Sequence, residues 1–387
     1  MPQVIEPVDA TGVAAALSQS SADGRGVIVR GAGTKFSPPP SDVILSTARM
    51  TEGVDHVAGD LVATLPAGIS LDAANDILRR EGQWLPLDPP RSHHATIGGI
   101  VATNDSGPRR HRYGGPRDLI IGIEIALVDG RVAKAGGRVV KNVAGYDLSK
   151  LMCGSHGTLA VVTRATFKLS PVAPFSRTLV ATGSDVRRLS TLALTIANAP
   201  PLAPTAIELQ SPPHGLLVRF ETTEAAAAAQ VKIAAGLCEQ FGATPHVVFG
   251  QAESDAWRAH EARVFGTPGV VLKIAVLPTD VGDMLAIIER LSSAAAVVCE
   301  LSGRAALGIL LLKISGDHSA YSSIVAELRR EASARGGSAV ILSAGSGDPM
   351  TTVDRWGPLG DAQPLMQAVK ARFDPQHLLN AGLTPWD

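Results

Sequence analysis

Glycine-rich turns that follow apolar runs are the features of this chain whose residue types best suit ligand binding. The first turn, Gly31-Ala32-Gly33-Thr34-Lys35, directly follows the apolar run 27–30, which predicts a buried strand. Successive small residues let neighbouring N–H groups point to one spot, and such a nest suits an anion such as a pyrophosphate. The turn departs from the dinucleotide fingerprint GxGxxG, because Phe36 stands at the third glycine position and three prolines follow. Taken alone, it is also compatible with a purely structural role.

A second segment is denser in glycine and proline. It contains Pro86-Leu87-Asp88-Pro89-Pro90, Ala95-Thr96-Ile97-Gly98-Gly99 and Asn104-Asp105-Ser106-Gly107. So many glycines cost conformational entropy unless the backbone must approach something closely, and Gly98 and Gly99 could admit a flat ring or a phosphate to the main chain. An ordinary surface loop is the alternative, although it fits poorly with the apolar residues within the segment.

A third segment runs from Lys141 to Leu151 and continues through Gly154-Ser155-His156-Gly157-Thr158-Leu159. Its pattern predicts a helix carrying Lys141 and Lys150, a glycine turn and then a strand. By itself it could be a simple helix-to-strand connection.

The elements that must position these segments indicate an α+β protein. Apolar runs at 61–65, 119–128 and 159–169 predict strands, and residues 70–81 have helical spacing with Ser70 as N-cap. From about residue 177, strands and longer helices alternate in an order that occurs twice, β-α-β-β-α-β. This order predicts one antiparallel sheet with helices on one face. A short helix is expected at 363–372.

In this order the three segments resemble the FAD-binding domain of the vanillyl-alcohol oxidase and p-cresol methylhydroxylase (PCMH) superfamily, in particular its FAD-linked type with glycolate oxidase and D-lactate dehydrogenase subunits. The later sequence Phe373-Asp374-Pro375…Leu379-Asn380-Ala381-Gly382 resembles the closing FDP…LNPG of that type, with Ala381 replacing proline. The resemblance implies a two-subdomain PCMH-type FAD-binding domain (1–172), an α+β cap domain of ferredoxin-like repeats (173–345) and a segment that returns to the FAD domain (346–387).

The resemblance also assigns roles to residues. The turn Gly31, Ala32, Gly33, Thr34 and Lys35 would wrap the pyrophosphate. A second group would lie along the pyrophosphate and flavin; it consists of Thr96, Ile97, Gly98 and Gly99, with Asn104 and Gly107 in the same loop. A third group would flank the ribityl and adenosine parts; it consists of Gly154, Gly157, Leu159 and Val161. Some relatives tether FAD to a histidine just after the glycine turn. This chain has Thr34 and Lys35 there, which predicts non-covalent FAD.

Catalytic members of this type carry HGDGNLH and EHG motifs in the cap, where histidines and a carboxylate hold a metal and take the hydroxyl proton. Residues 173–387 contain neither motif, since Gly316-Asp317-His318-Ser319 and Glu300-Leu301-Ser302-Gly303 are only partial echoes. We therefore predict that the chain has no metal site, and the sequence offers no candidate for the catalytic base. We interpret the scattered histidines and the pair His93-His94 as packing or loop residues. A cation near the flavin would steady its reduced anion, and the candidates are Lys141, Lys150 and Arg91.

FAD motifs combined with such a cap most resemble the smaller flavin-type subunits of bacterial glycolate-oxidising complexes. That resemblance implies a small 2-hydroxy acid as substrate, with a larger catalytic FAD subunit and an iron–sulfur subunit as partners. Two alternatives remain open: a self-sufficient FAD dehydrogenase for a D-lactate-type 2-hydroxy acid, and a scaffold that keeps the flavin fold without catalysis.

Charge and composition favour a cytoplasmic globular protein. The net charge is −1, which recruits no nucleic acid, although residues 109–112 form a local basic run. Three isolated cysteines provide no disulfide framework and no iron–sulfur spacing, and the first ten residues lack the pattern of a signal peptide. No apolar run approaches the roughly 20 residues that span a bilayer. Any association with the inner membrane would therefore depend on partner subunits.

Overall fold

The computed structural model describes residues 2–35, 40–138, 145–343 and 353–386. Contacts between Cα atoms divide the chain into two compact units, one formed by Met1–Val172 with Leu359–Asp387 and the other by Ala173–Pro358. Within the described ranges, no helix has both the length and the apolar character needed to cross a membrane.

The first unit begins with a small parallel sheet. Its strands are β1 (Gln3–Ile5), β2 (Val27–Arg30) and β3 (Val43–Ser46), in the order β1-β3-β2. Helix α1 (Ala10–Ala22) packs on this sheet, since Val13 and Leu17 share a core with strand residues. Leu379 forms a parallel bridge to Val27, so that a segment distant along the chain lies beside β2.

A five-stranded antiparallel sheet forms the larger part of the first unit. Its strands are β4 (Asp55–Val57), β5 (Val62–Pro66), β7 (Ile120–Ala126), β8 (Val132–Gly136) and β9 (Val161–Lys168), and β6 (Gln83–Trp84) pairs separately with β10 (Ser170–Pro171). The order in the large sheet is β4-β5-β9-β7-β8. Five short helices accompany it: α2 (Leu71–Leu78), α3 (Ile97–Thr103), α4 (Arg110–Tyr113), α5 (Pro116–Leu119) and α6 (Leu148–Met152).

The second unit is built on one eight-stranded antiparallel sheet. Its first half contains β11 (Phe175–Thr182), α7 (Val186–Asn198), β12 (Ala206–Ser211), β13 (Gly215–Thr222), α8 (Glu224–Gln240) and β14 (Thr244–Val248). After α9 (Gly250–Phe265), the second half contains β15 (Val270–Ala275), α10 (Val281–Ala295), β16 (Val298–Arg304), β17 (Ile309–Ser315), α11 (Tyr321–Ala334) and β18 (Ser338–Ser343). The strand order β14-β11-β13-β12-β16-β17-β15-β18 joins two β-α-β-β-α-β halves through β12 and β16.

The predicted α+β fold with its repeated β-α-β-β-α-β order is therefore confirmed. The expectation that helices cover only one face was wrong for α9. Helices α7, α8, α10 and α11 pack in a core with Leu272 and Leu312, whereas Val264 of α9 packs with Val271 and Leu311. Because neighbouring strand residues point to opposite faces, α9 lies on the other side of the sheet.

Local signals placed several helices correctly. Ser70 caps α2 through a hydrogen bond from the N–H of Ala73, and Leu71, Ala74 and Leu78 are buried on one face. The helix predicted across 141–151 is shorter where it is described, since α6 begins only at Leu148 with Asp147 as its N-cap. Residues 141–144 of that prediction lie outside the described residues. The last helix, α12 (Gln363–Phe373), belongs to the first unit.

Candidate functional site

A cavity lies within the first unit, with about 770 Å³ of empty space that includes open solvent. Its walls come from five separate parts of the chain. The lining residues are Ile28, Val29, Arg30, Gly31, Ala32, Gly33, Thr34, Lys35, Thr47, Thr96, Gly98, Gly99, Ala102, Thr103, His156, Gly157, Ala160, Val161, Val162 and Asn380.

The turn at 31–35 contributes main-chain groups to this cavity. Its N–H groups have no acceptor within the described residues, and Gly33 has a φ of +69°. A Cβ on Gly31 would lie only 2.2 Å from Thr96 Oγ1, so residue 31 must be glycine for the turn to approach Thr96 this closely. Main-chain N–H groups without acceptors among the described residues, beside a cavity, are compatible with an anion nest, which stays a prediction from the sequence.

Two cationic groups near the turn, those of Lys35 and Arg91, have protein partners. Lys35 Nζ lies 2.5 Å from Asp105 Oδ2 and donates to the carbonyl of Pro90 at 3.1 Å. Arg91 donates to the carbonyl of Thr34 at 3.3 Å. These contacts hold the turn against residues 90–105, and Asp105 neutralises the charge of Lys35. Arg30 also lines the cavity, so main-chain groups and Arg30 are the candidates to bind an anion there.

The N–H groups at the start of helix α3 are already hydrogen-bonded within the protein, which differs from what was expected for the second motif. Thr96 is its N-cap, and the N–H groups of Ile97, Gly98 and Gly99 donate to Ile69 O, Ala67 O and Thr96 Oγ1. The start of α3 therefore lacks free N–H groups for a phosphate, and its neighbours contribute surface instead.

The two glycines of α3 have different reasons for lacking a side chain. A Cβ on Gly98 would lie 2.9 Å from the Cβ of Ala67, so Gly98 permits the packing of α3 against residues 67–69. A Cβ on Gly99 would meet only Thr96 Oγ1, at 3.1 Å. Both line the cavity, whereas the Ile97 side chain is fully buried in the core. Steric room for a ligand is thus a plausible reason for glycine at 99, while protein packing already explains glycine at 98.

The turn of the third motif closes the cavity from another side. His156 has a φ of +54° and its N–H donates to Ala102 O at 2.8 Å, which docks the turn on α3. Gly157 and Val161 line the cavity beside His156. The other two predicted residues do not: Gly154 donates its N–H to Val101 O, and Leu159 is buried in the core of the large sheet.

Asn104 and Gly107 also lie outside the cavity lining. Asn104 ends α3 with a φ of +49°, and its Oδ1 is buried without a hydrogen-bond donor in the described part of the chain. A Cβ on Gly107 would lie 1.7 Å from the carbonyl oxygen of Asp88, so packing alone explains this glycine.

Two of the candidate cations, Lys150 and Arg91, and the histidine pair also lie outside this lining. Lys150 pairs with Asp147 at 3.0 Å, both side chains being about half exposed, and Lys141 lies outside the described residues. Although partial burial alone would raise it, the pKa of Asp147 is lowered by hydrogen bonds from Lys150. His93 and His94 are exposed, and His93 Nδ1 lies 2.6 Å from Asp72 Oδ2.

Sequence reasoning missed the role of Asn380 in this cavity. Its Oδ1 accepts from the N–H of Val29 at 2.7 Å, and its Nδ2 donates to the carbonyl of His156 at 2.6 Å. It therefore bridges two walls of the cavity. The available signal was the resemblance of residues 379–382 to a family motif, which marks the position without revealing its partners.

In the second unit, the residues that partly echo catalytic motifs have structural partners. His318 stacks on Tyr321 with ring centroids 4.9 Å apart, and Glu300 lies 2.5 Å from Lys313 Nζ. His260 is buried and pairs with Glu208 at 3.1 Å. Among the described residues, no three His, Cys, Asp or Glu side chains are grouped as metal ligands would be.

Comparison with known proteins finds relatives of the first part of the chain. The family described as "FAD binding domain" matches residues 1–136. D-lactate dehydrogenase of Archaeoglobus fulgidus is 38% identical over 172 residues, which are 43% of this chain and 38% of that protein. Glycolate oxidase subunit GlcD of Bacillus subtilis is 27% identical over 92% of this chain and 83% of its own length. Subunit GlcE of Escherichia coli is 37% identical over 40% of this chain and 45% of its own.

Structural similarity extends over almost the whole chain. A solved alkyldihydroxyacetonephosphate synthase superposes with a TM-score of 0.75, at 15% identity, and covers 98% of this chain and 75% of its own. Identity this low shows a common fold only. The alignments with D-lactate dehydrogenase and GlcE each span less than half of those relatives. The match to the family described as an FAD-binding domain covers residues 1–136, which lie within the first unit.

Proposed function

We propose that FAD binds without a covalent link in the cavity of the first unit, and that those predicted site residues that line the cavity contact it. The observation that carries this proposal is the set of main-chain N–H groups at 31–35, which belong to residues that line the cavity and have no acceptor among the described residues. In this arrangement residues 31–35 bind the pyrophosphate, while Thr96, Gly98, Gly99, Gly157 and Val161 contact the cofactor surface. Ile97, Asn104, Gly107, Gly154 and Leu159 would act indirectly, by shaping the walls.

Non-covalent binding has a direct test. The turn offers Thr34 and Lys35 where a tethering histidine stands in some relatives, and Lys35 is engaged by Asp105. Acid precipitation of the flavin-loaded protein should therefore leave the flavin in the supernatant. Flavin that remains in the protein pellet would contradict the proposal, and His156, which lines the cavity, would be the first residue to examine.

We further propose that the chain takes part in the FAD-dependent oxidation of a small 2-hydroxy acid, glycolate in the first place, as a subunit that exchanges electrons with partner proteins. Similarity to proteins named glycolate oxidase subunits supports this, and the relation to GlcD covers most of both chains. Bound FAD supplies a two-electron acceptor for a hydride equivalent from the α-carbon of the acid. The described residues of this chain bind and orient the cofactor, and they leave the proton acceptor unassigned.

Partners of the kind found for glycolate oxidases, a larger catalytic FAD subunit and an iron–sulfur subunit, are part of this proposal. An association with the inner membrane would run through those subunits. The alternative functions are a self-sufficient 2-hydroxyacid dehydrogenase, favoured by the similarity to D-lactate dehydrogenase, and a non-catalytic scaffold.

One experiment separates the three functions. The purified chain is loaded with FAD and mixed anaerobically with glycolate or D-lactate, alone and with proteins co-purified from its native host. Bleaching of the flavin bands only in the presence of co-purified proteins supports the subunit. Rapid bleaching by the single chain supports the self-sufficient dehydrogenase, and a chain that retains no flavin supports the scaffold. Glycine, which lacks the hydroxyl group of glycolate, serves as the control ligand.

A further inference from the structure

Residues 370–384, which we call the clasp segment, contact two walls of the cavity. The N–H of Val27 donates to Leu378 O and the N–H of Asn380 donates to Val27 O, each at 2.8 Å, so the segment forms an isolated parallel bridge to β2. Strand β2 leads directly into the nest at 31–35. The position of the nest therefore depends on a segment that lies at the other end of the sequence.

The clasp segment has a buried ion pair at its base. Lys370 and Asp374 have fully buried side chains, and Nζ lies 2.8 Å from Oδ2. Nζ also donates to the carbonyls of Thr158 and Leu379, while the carboxylate accepts from the N–H groups of Leu378 and Leu379. Buried charges are tolerated when they are paired and hydrogen-bonded in this way. The pair fixes the backbone at 378–379 against Thr158, two residues after His156.

Asn380 is the point at which this fixed backbone reaches the cavity. It is 1% exposed and has a φ of +49°. Its two side-chain hydrogen bonds, to Val29 and His156, use both its acceptor and its donor. A Cβ on Gly157 would lie 2.7 Å from Asn380 Nδ2, so glycine at 157 allows the side chain to reach His156.

From these contacts we propose that Asn380 is a positioning residue for FAD: it sets the distance between the nest and the His156–Gly157 turn, and the clasp segment is thermodynamically coupled to cofactor binding. The inference rests on the proposed binding of FAD in this cavity. Because coupling is reciprocal, loss of the clasp contacts weakens FAD binding, and bound FAD makes the clasp contacts more persistent.

The first test uses Asn380→Gly, which removes both side-chain hydrogen bonds while keeping a residue that accepts a positive φ. At a temperature where the variant is folded, titration should give an FAD dissociation constant raised roughly tenfold or more, because the hydrogen bonds that fix the bound geometry are lost. Asn380→Asp keeps an acceptor for Val29 but places a carboxylate oxygen at the carbonyl of His156, and its affinity should also fall.

The matched control is Leu78→Ala, since Leu78 is fully buried in the first unit but does not line the cavity. It destabilises the unit, yet its folded molecules should bind FAD with an unchanged dissociation constant. A merely structural role for Asn380 would give the same result as this control.

The second test needs no variant. Hydrogen exchange of the wild-type chain should slow at residues 378–380 when FAD is added, compared with the FAD-free chain. Unchanged exchange there, or an unchanged dissociation constant in Asn380→Gly, overturns the inference while leaving FAD binding intact. A wild-type chain that fails to bind FAD would instead overturn the proposed function itself, and the inference with it.

Discussion

Replacing Gly31 by alanine should destabilise the first unit, and this cost should disappear when Thr96, a residue distant in sequence, is truncated to alanine. A Cβ at residue 31 would lie 2.2 Å from Thr96 Oγ1, but 3.4 Å from Thr96 Cβ and 3.5 Å from Thr96 Cγ2. The hydroxyl is therefore the atom that alanine displaces. Overpacking of this kind typically costs about 1–3 kcal/mol.

The double variant isolates the cause. Thr96→Ala alone removes the N-cap of α3 and should cost about 1 kcal/mol. In Gly31→Ala/Thr96→Ala the close contact is gone, so its cost should be near that of Thr96→Ala alone. The two substitutions should then show a favourable coupling energy of about 1–3 kcal/mol in a double-mutant cycle.

Unfolding in urea without FAD measures these free energies. The transition that shifts to higher urea when FAD is added is the one to follow, because a ligand stabilises the unit that binds it. Gly33→Ala is the control. Its φ is +69° and its nearest atom is Arg30 Cδ at 3.6 Å, so its cost comes from backbone strain that Thr96→Ala cannot relieve. If the cost of Gly31→Ala is the same with and without Thr96→Ala, the steric reasoning is refuted.

Three further predictions follow from individual contacts. Gly99→Val should leave the FAD-free unit nearly as stable as the wild type but weaken FAD binding. Gly98→Val should instead destabilise the unit itself, because the Cβ of residue 98 would meet Ala67. Equal effects of the two substitutions in urea unfolding and in FAD titration would contradict this. Glu208→Ala removes the carboxylate that pairs with buried His260 and Arg304, and should lower the free energy of unfolding of the second unit by about 3 kcal/mol or more. The control is Glu327→Ala, at the exposed ion pair with Arg330, which should hardly shift the urea midpoint. Burial raises the pKa of Cys153 to about 12, so iodoacetamide should label it slowly at neutral pH until urea unfolds the chain; rapid labelling of the folded chain would show that its thiol is accessible and ionised.

The elements of the second unit were predictable because their signals are local. Asp185 and Thr223 cap α7 and α8 through side-chain hydrogen bonds to the first turns, and apolar residues recur at helical or strand spacing between them. Helix α1 was not predicted. Its sequence, ATGVAAALSQSSA, offers alanine and serine around the whole helix and only two large apolar residues, Val13 and Leu17, so its buried face is weakly marked.

For the candidate site, the sequence reveals where glycines occur but not what each glycine avoids. A Cβ on Gly99 would meet only one atom within van der Waals distance, whereas a Cβ on Gly98 would meet Ala67 and a Cβ on Gly107 would meet Asp88. Their partners are brought close by the fold, so neither spacing nor composition distinguishes a glycine that serves a ligand from one that serves packing. Asn380 was missed for the same reason, since its partner Val29 is 351 positions away along the chain.

Gly31 and Gly157 are required for the same kind of close contact. In each case the space that a Cβ would take is filled by a polar atom from another segment, Thr96 Oγ1 or Asn380 Nδ2. Each glycine therefore permits a contact between two cavity walls, in addition to the conformational freedom that it gives its own backbone. It follows that the nest is produced by packing among four segments and is not a property of residues 31–35 alone. A glycine turn after a strand is ambiguous when read by itself, because the residues that fix its shape stand elsewhere in the chain.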